Sequence, residues 1–262
     1  MKNPLEQLLG TTVMLVAHPD DEVIAFGALM QRMKKAIVVF ATDGAPHDRR
    51  FWGDCDSRET YAEIRRQEAW QALGIVGARP IFLADHVPGG IADQELFCRL
   101  PEAIQAMETL LEEIAPDCLL TLTYEGGHPD HDSCCFMACQ LGRRQRLPVW
   151  ESPLYHRSAD GSAAVQMFPR RNGQELELKV DGGPFQKKVE MFHTYKSQKL
   201  VLDGFRPEIE QFRPVIDHDF TRPPVPWKLN YELWEWPMTG EQVSSAFASY
   251  LGRAASKPEE KE

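Results

Sequence analysis

Two short stretches of this sequence concentrate side chains that could bind a metal ion or move a proton. The first holds one imidazole and three carboxylates within five residues, and the second holds two imidazoles three positions apart. These residues are His18, Asp20, Asp21 and Glu22 in the first stretch and His128, Asp130 and His131 in the second. Imidazole and carboxylate groups suit zinc, and a catalytic zinc keeps three protein ligands and one open position. We therefore predict a mononuclear site with His18, Asp21 and His131 as ligands.

The remaining polar residues of the two motifs suit acid–base chemistry around such an ion. Asp20, next to a ligand but not itself one, could take a proton from an activated water molecule. His128 would stand opposite, to stabilise an oxyanion or to protonate a leaving amine. Asp130 could fix the tautomer of a motif histidine. Together these roles describe amide hydrolysis through a tetrahedral intermediate, and Glu22 is left with a structural role.

Each motif alone also has a structural explanation. The acidic triplet could complement a helix dipole, and a histidine at a strand end could bond to a backbone carbonyl. The two motifs together favour chemistry. Two other functions stay open: a metallohydrolase of an ester or carbamate bond, and a non-catalytic carbohydrate-binding protein with the same fold. Asp20, which has no obvious use in binding alone, favours an enzyme.

The elements that must position these motifs read as alternating strands and helices. Apolar runs predict strands at Val13–Ala17, Ala36–Ala41, Ile81–Leu83, Cys118–Thr123 and around 149–155. Between these strands, apolar residues recur at the spacing of an α-helix. We therefore predict an α/β fold with a mostly parallel sheet covered on both faces. Ligands bind beyond the carboxyl ends of such strands. Both histidine motifs lie at these ends and should converge.

The second half of the chain is less regular. Residues 165–168 and 176–180 look like a small antiparallel pair, and residues 186–195 look like a helix. Residues 201–237 are rich in Pro and Trp and allow no assignment. We therefore expect a core over residues 1–200 and an irregular C-terminal extension over 201–262 packed on it. The charged end at 257–262 is expected to be solvated or disordered.

Composition excludes several classes of function. The chain has 262 residues, 43% of them hydrophobic and 26% charged, with a formal net charge of −10. No basic patch suggests nucleic acid or an anionic membrane, and neither a signal peptide nor an apolar span is visible. We expect a cytoplasmic protein with six reduced cysteines. Cys135 and Cys139 could bring two thiolates to a metal or line a helix face.

The motifs Ala17-His18-Pro19-Asp20-Asp21-Glu22 and Gly127-His128-Pro129-Asp130-His131 resemble those of the LmbE-like/PIG-L family of zinc-dependent N-acetylglucosaminyl deacetylases. The resemblance covers roughly residues 11–200. It implies a Rossmann-like fold and one divalent metal per chain, Zn²⁺ or another such as Fe²⁺. It also implies His18, Asp21 and His131 as ligands, Asp20 as general base and His128 as oxyanion partner. The implied partner is a small N-acyl amino sugar, and homo-oligomer formation stays open.

Substrate residues are predicted less directly. Arg65 and Glu68 lie in a segment similar to the family's Arg-x-x-Glu helix. They could bind sugar hydroxyls or an anionic aglycone, or they could form an exposed helix salt bridge. Asp85 follows a strand end, and Tyr124 could replace a tyrosine that the family commonly has before its second motif. The 45–56 loop departs from the family and should border the site. The tryptophans at 227, 234 and 236 could stack on a sugar or cover the core.

Overall fold

The computed structural model describes residues 4–255 as an α/β fold built on one seven-stranded sheet. The strands are β1 (Thr11–Val16), β2 (Lys35–Phe40), β3 (Arg79–Phe82), β4 (Cys118–Leu122), β5 (Val149–Ser152), β6 (Tyr155–Arg157), β7 (Ala163–Val165), β8 (Leu176–Lys179) and β9 (Ile209–Pro214). The α-helices are α1 (Asp21–Phe26), α2 (Arg58–Val76), α3 (Leu100–Ile114), α4 (Pro129–Gln145), α5 (Gly182–Thr194), α6 (Lys199–Leu202), α7 (Asn230–Leu233) and α8 (Gly240–Ala255).

The sheet has the order β3-β2-β1-β4-β5-β9-β8. The first five strands of this order run parallel, and the sheet continues with β9, which pairs antiparallel with both β5 and β8. Successive side chains of a strand point to opposite faces. Accordingly Val13 and Leu15 enter one apolar core, and Met14 and Val16 enter the other. The predicted mostly parallel sheet with helices on both faces is confirmed.

A small antiparallel segment is present, but the strand pairing predicted for it is wrong. The strand at 163–165 pairs with β6, whereas β8 pairs with β9 from the segment after residue 200. The expected irregular extension therefore contributes β9 to the main sheet and also α8. Hydrophobic periodicity did not reveal β9 because two of its buried side chains, Glu210 and Arg213, are charged.

Buried ion pairs hold β9 in place. Arg213 Nε lies 2.7 Å from Glu151 Oε1 of β5, and His218 Nε2 lies 2.6 Å from the other oxygen of that carboxylate. Lys188 of α5 lies 2.6 Å from Glu210. Cys135 also brings its sulfur to 3.9 Å from Glu151, but the adjacent Arg213 cation disfavours a metal ion there. These charges act as links between elements.

Glu210 also fixes the segment that follows α1. Its two carboxylate oxygens accept hydrogen bonds from the backbone N–H groups of Ala28 and Leu29 at 2.7 and 2.9 Å, where a 3₁₀ turn begins.

In the described part of the chain, no helix has the length and apolar character needed to cross a membrane. The expectation for 257–262 lies outside the described residues.

Candidate active site

The two histidine motifs meet at the carboxyl edge of the parallel strands. His18 follows β1, which lies beside β4 in the sheet, and His128 precedes α4 after β4. A side chain at Gly127 would collide with the backbone carbonyl of Tyr155, so glycine allows the loop before His128 to lie against β6. The ring centroids of His18 and His128 are 4.4 Å apart, and those of His18 and His131 are 5.3 Å apart. The predicted convergence is present.

The three predicted ligands lie together and are buried. Asp21 Oδ1 is 3.2 Å from His131 Nε2, and Asp21 Oδ2 is 3.6 Å from His18 Nδ1. Oδ2 also accepts the backbone N–H groups of Ala17 and His18, which orient the carboxylate. The contact between His131 Nε2 and Asp21 does not have the geometry of a hydrogen bond, so both ring nitrogens of His131 lack a hydrogen-bond partner although the residue is 1% exposed. A buried imidazole without a partner is costly, and a metal ion bound there would satisfy it.

The charges around His18 also suit a cation. Burial alone would lower its pKa, but the nearby carboxylates of Asp93 and Asp130 raise the pKa of His18 well above its ordinary value. The surroundings therefore stabilise positive charge at this position. A buried group of histidines and aspartates with this property fits a divalent metal ion.

Asp20 is held in an unusual backbone conformation beside this group. Its φ of 126° lies in a region that non-glycine residues rarely occupy, and such strain costs about 1–3 kcal/mol. Its N–H donates to Glu22 at 3.0 Å, and Glu22 in turn accepts a hydrogen bond from the Tyr195 hydroxyl. Glu22 therefore has the structural role expected from the sequence.

Two opposing influences act on the Asp20 carboxylate, burial and a nearby arginine. Burial raises its pKa to about 7, although the Arg65 guanidinium, whose Nη2 lies 3.1 Å from Asp20 Oδ2, lowers it. A general base works best when its pKa is near the working pH. The carboxylate lines the cavity in front of the histidines.

His128 is oriented by the backbone of Asp130. The Asp130 N–H donates to His128 Nδ1 at 3.1 Å, so the neutral ring carries its proton on Nε2. The Asp130 carboxylate points elsewhere: it accepts the backbone N–H groups of Gln94 and Leu96 and lies 3.3 Å from His18 Nε2. The Asp130 carboxylate thus contacts one motif histidine, His18, and the Asp130 backbone contacts another, His128; the tautomer-fixing role stays a prediction.

Asp93 is a site residue that the sequence reasoning missed. Its Oδ1 lies 3.2 Å from Nε2 of His18 and 3.2 Å from Nε2 of His128. Burial alone would raise its pKa, but these two histidines hold the pKa of Asp93 well below the usual range. Asp93 comes from the irregular segment between β3 and α3. Its position after Gly89-Gly90-Ile91-Ala92, away from a strand end, gave no signal.

One of the four predicted substrate residues lines the cavity. Arg65 reaches it from α2 and also bonds to the carbonyls of Pro19 and Gly44. The other three make different contacts. Glu68 accepts hydrogen bonds from the Ser197 backbone and hydroxyl.

Asp85 and Tyr124 likewise do not line the cavity of the histidines. Asp85 is exposed and forms a bidentate salt bridge with Arg66 at 2.7 Å. The Tyr124 hydroxyl donates to the Arg222 carbonyl, and its ring packs on Phe220. Of the four residues, Arg65 alone lines this cavity, and the substrate contacts of all four stay predictions.

The cavity in front of the histidines has a volume of about 380 Å³. Its floor is formed by the histidines with Asp20, Asp21 and Asp93, and its walls are largely aromatic and aliphatic. The wall residues are Ile24, Pro46, Phe51, Tyr61, Tyr155, Ala163, Val165, Val201, Phe205, Trp234 and Trp236. The 45–56 loop thus borders the site as expected, through Pro46 and Phe51.

A mostly parallel sheet covered on both faces, with a buried His/Asp group that fits a divalent metal ion at its carboxyl edge, is the architecture of an α/β enzyme. Residues 13–141 match the family model described as PIG-L, GlcNAc-PI de-N-acetylase. These residues form a PIG-L family domain, and the resemblance seen in the two motifs is confirmed. The match contains every motif residue from His18 to His131.

A curated relative and two solved structures are similar over most of the chain. A 1D-myo-inositol 2-acetamido-2-deoxy-alpha-D-glucopyranoside deacetylase of Corynebacterium glutamicum is 25% identical and aligns over 89% of this chain and 87% of its own. The structure of the A40926 pseudoaglycone deacetylase Dbv21 has a TM-score of 0.62 at 21% identity, covering 80% of this chain and 98% of that one. The N,N'-diacetylchitobiose deacetylase of Pyrococcus horikoshii has a TM-score of 0.54 at 21% identity, covering 82% and 86%. The solved structures establish a shared fold.

Proposed function

We propose that this chain is a metal-dependent deacetylase that removes an acetyl group from an N-acetyl amino sugar. The observation that carries the proposal is the buried group of His18, Asp21 and His131 with Asp20 beside it. The PIG-L family match and the deacetylase named as a relative support the sugar amide as the substrate bond. Zinc is the metal that two imidazoles and one carboxylate favour.

The residues of this chain divide the work of amide hydrolysis. When bound to the three ligands, a divalent ion would supply Lewis-acid activation of a water molecule and of the acyl carbonyl. Asp20 accepts the proton that the attacking water loses and, since its pKa is about 7, can pass it on to the leaving amine. Arg65 keeps Asp20 in place. His128, whose Nε2–H also faces Asp93, would donate that hydrogen to the carbonyl oxygen as the oxygen gains negative charge.

Acetate release from a panel of N-acetylglucosamine conjugates, in the presence of Zn²⁺ or Fe²⁺, tests the proposal. We expect acetate and free amine in equal amounts, and we expect chelator-treated protein to be inactive until metal is restored. Ester or carbamate compounds in the same panel test the other hydrolytic reaction. Absence of acetate release under all metal conditions, with sugar binding retained, would favour a carbohydrate-binding protein instead.

Two substitutions separate the ligand role from the base role. Asp20→Ala is expected to keep the metal, measured by elemental analysis, and to lose turnover by about 10²–10⁴-fold. His131→Ala is expected to lose both. His86→Ala and Asp85→Ala are matched controls, because both residues are exposed and lie outside the cavity. Full activity of Asp20→Ala would contradict the assignment of the base.

A further inference from the structure

We propose that the amino sugar bound by this chain carries an apolar aglycone, alkyl or aryl, and that an aromatic wall at the cavity mouth binds it. The aromatic wall consists of Phe51, Tyr155, Trp234 and Trp236. This inference rests on the proposed function and adds the substrate class. It concerns the part of the substrate that lies away from the scissile amide.

The aromatic wall begins at the histidines and runs outward. The ring centroid of Trp236 is 4.8 Å from that of His128, and the centroid of Tyr155 is 5.4 Å from that of His131. Trp234 lies 5.1 Å from Trp236 and 6.2 Å from Tyr155. Phe51 meets Trp236 edge to face at 6.2 Å. A group attached to a sugar at the histidines would therefore extend along these rings.

The outer members of the wall are open to solvent. Phe51 is 42% exposed and Trp234 is 45% exposed, and the neighbouring Val201 is 50% exposed. Large apolar side chains grouped around a cavity mark binding surfaces more often than isolated ones do. Covering these rings with an apolar group would remove them from water, which favours binding.

The charges of the cavity argue against an anionic aglycone. The two arginines that line it both have partners: Arg65 faces Asp20, and the Arg157 Nε donates to Asn230 Oδ1 at 2.8 Å. The carboxylates of Asp20, Asp21 and Asp93 would repel a phosphate placed near the floor. A neutral apolar group needs no free arginine, and these carboxylates would not repel it.

Most of the aromatic wall comes from outside the family match. Tyr155, Trp234 and Trp236 follow residue 141, where the match ends, and Phe51 belongs to the 45–56 loop. Here the catalytic groups lie in the matched residues, and the wall that would select the aglycone lies mostly beyond them.

The test compares four N-acetylglucosamine substrates with metal-loaded full-length protein: the free sugar and its inositol, phenyl and octyl glycosides. We expect kcat/KM to be at least about tenfold higher for the phenyl or octyl glycoside than for the free sugar and the inositol conjugate, through a lower KM. Phenyl alone would indicate a planar group, and octyl alone would indicate a chain. Equal kcat/KM for all four overturns the inference, whereas acetate release from none overturns the proposed function.

Trp234→Ala is expected to remove the preference while leaving kcat/KM for the free sugar within about twofold, because one ring contact is lost and the floor is untouched. Trp234→Phe should retain most of the preference for the phenyl or octyl glycoside. Trp70→Ala is the matched control, since Trp70 is 54% exposed on α2 and does not line the cavity. A preference that survives Trp234→Ala and Phe51→Ala would show that the aromatic wall does not bind the aglycone.

Discussion

The Arg65 guanidinium lies 3.1 Å from the Asp20 carboxylate, and both groups are almost completely buried. Arg65 also bonds to the carbonyl of Pro19, the residue before Asp20. It therefore fixes both the charge and the position of the proposed base. The pairing explains how a carboxylate can remain available for proton transfer in a buried site, where desolvation opposes its ionised form.

Removing the Arg65 cation should shift the pH dependence of activity. Arg65 lowers the pKa of Asp20, so Arg65→Gln lets that pKa rise further above its ordinary value. Because the base acts only when it is deprotonated, the acidic limb of kcat/KM against pH should move to higher pH. Activity at pH 6 should fall more than activity at pH 9. Steady-state rates across this range measure the shift.

Arg66→Gln is the matched control for Arg65→Gln. Arg66 follows Arg65 on α2, but its guanidinium pairs with the exposed Asp85. The pH profile of kcat/KM for Arg66→Gln should superimpose on that of the wild type. An Arg65→Gln profile that is scaled down without moving along the pH axis would mean that Arg65 acts through position alone.

Asp93→Asn should reduce turnover by about 10–100-fold, the usual effect of removing a carboxylate that supports a metal site. Asp93 lies between His18 and His128, and its charge raises the pKa of His18. The loss should appear in kcat, with the metal content reduced less than in His131→Ala. Asp85→Asn, which changes an exposed residue, should leave kcat and the metal content unchanged. If Asp93→Asn has the kcat of the wild type, Asp93 has no part in turnover.

The buried pair of Lys188 and Glu210 should matter more for stability than an exposed pair. Lys188→Met leaves Glu210 charged without its cation, a change that typically costs about 3–5 kcal/mol. The exposed pair of Lys199 and Asp203 has a similar N–O distance of 2.8 Å, but Lys199→Ala should cost about 0–1 kcal/mol. Urea denaturation gives the free energy of unfolding for both. Equal losses of the free energy of unfolding in the two variants would show that a buried ion pair contributes no more to stability than an exposed one.

Metal loading should raise the midpoint of thermal unfolding. A ligand that binds only the folded state stabilises it by about 2.7 kcal/mol at a concentration one hundred times its Kd. Chelator-treated wild type should therefore unfold at a lower temperature than protein with Zn²⁺ restored. His131→Ala should show no such difference, and His86→Ala should behave like the wild type. A zinc-dependent shift that persists in His131→Ala would place the ion elsewhere.

The sequence was sufficient where polar groups follow strongly apolar strands. The parallel sheet, the junctions after β1 and β4 and the meeting of His18 with His131 all follow from these strands, because parallel strands end at a common edge. Arg65 of α2 reaches this edge through its side chain, which donates to the carbonyls of Pro19 after β1 and Gly44 after β2. The roles of the individual side chains stay predictions.

The sequence was insufficient where contacts depend on irregular backbone or on charge burial. Asp93 reaches the site from a loop, and no periodicity predicts where such a loop lies. Glu68 lies one turn of α2 from Arg65, yet it is bound by Ser197, which is distant in sequence. Strand β9 was hidden because two of its three buried residues, Glu210 and Arg213, pair as ions. Each case depends on a partner that only the folded chain identifies.

The place of β9 in the sheet has a consequence for synthesis on the ribosome. β9 lies between β5 and β8, although it follows both in the sequence. Before residues 209–214 leave the exit tunnel, β5 has an open edge, and Glu151 and Lys188 lack their buried partners. Nascent chains should thus remain dependent on chaperones until late in translation. A stop codon between β8 and β9 is expected to yield an aggregating product, even though every predicted metal ligand is present.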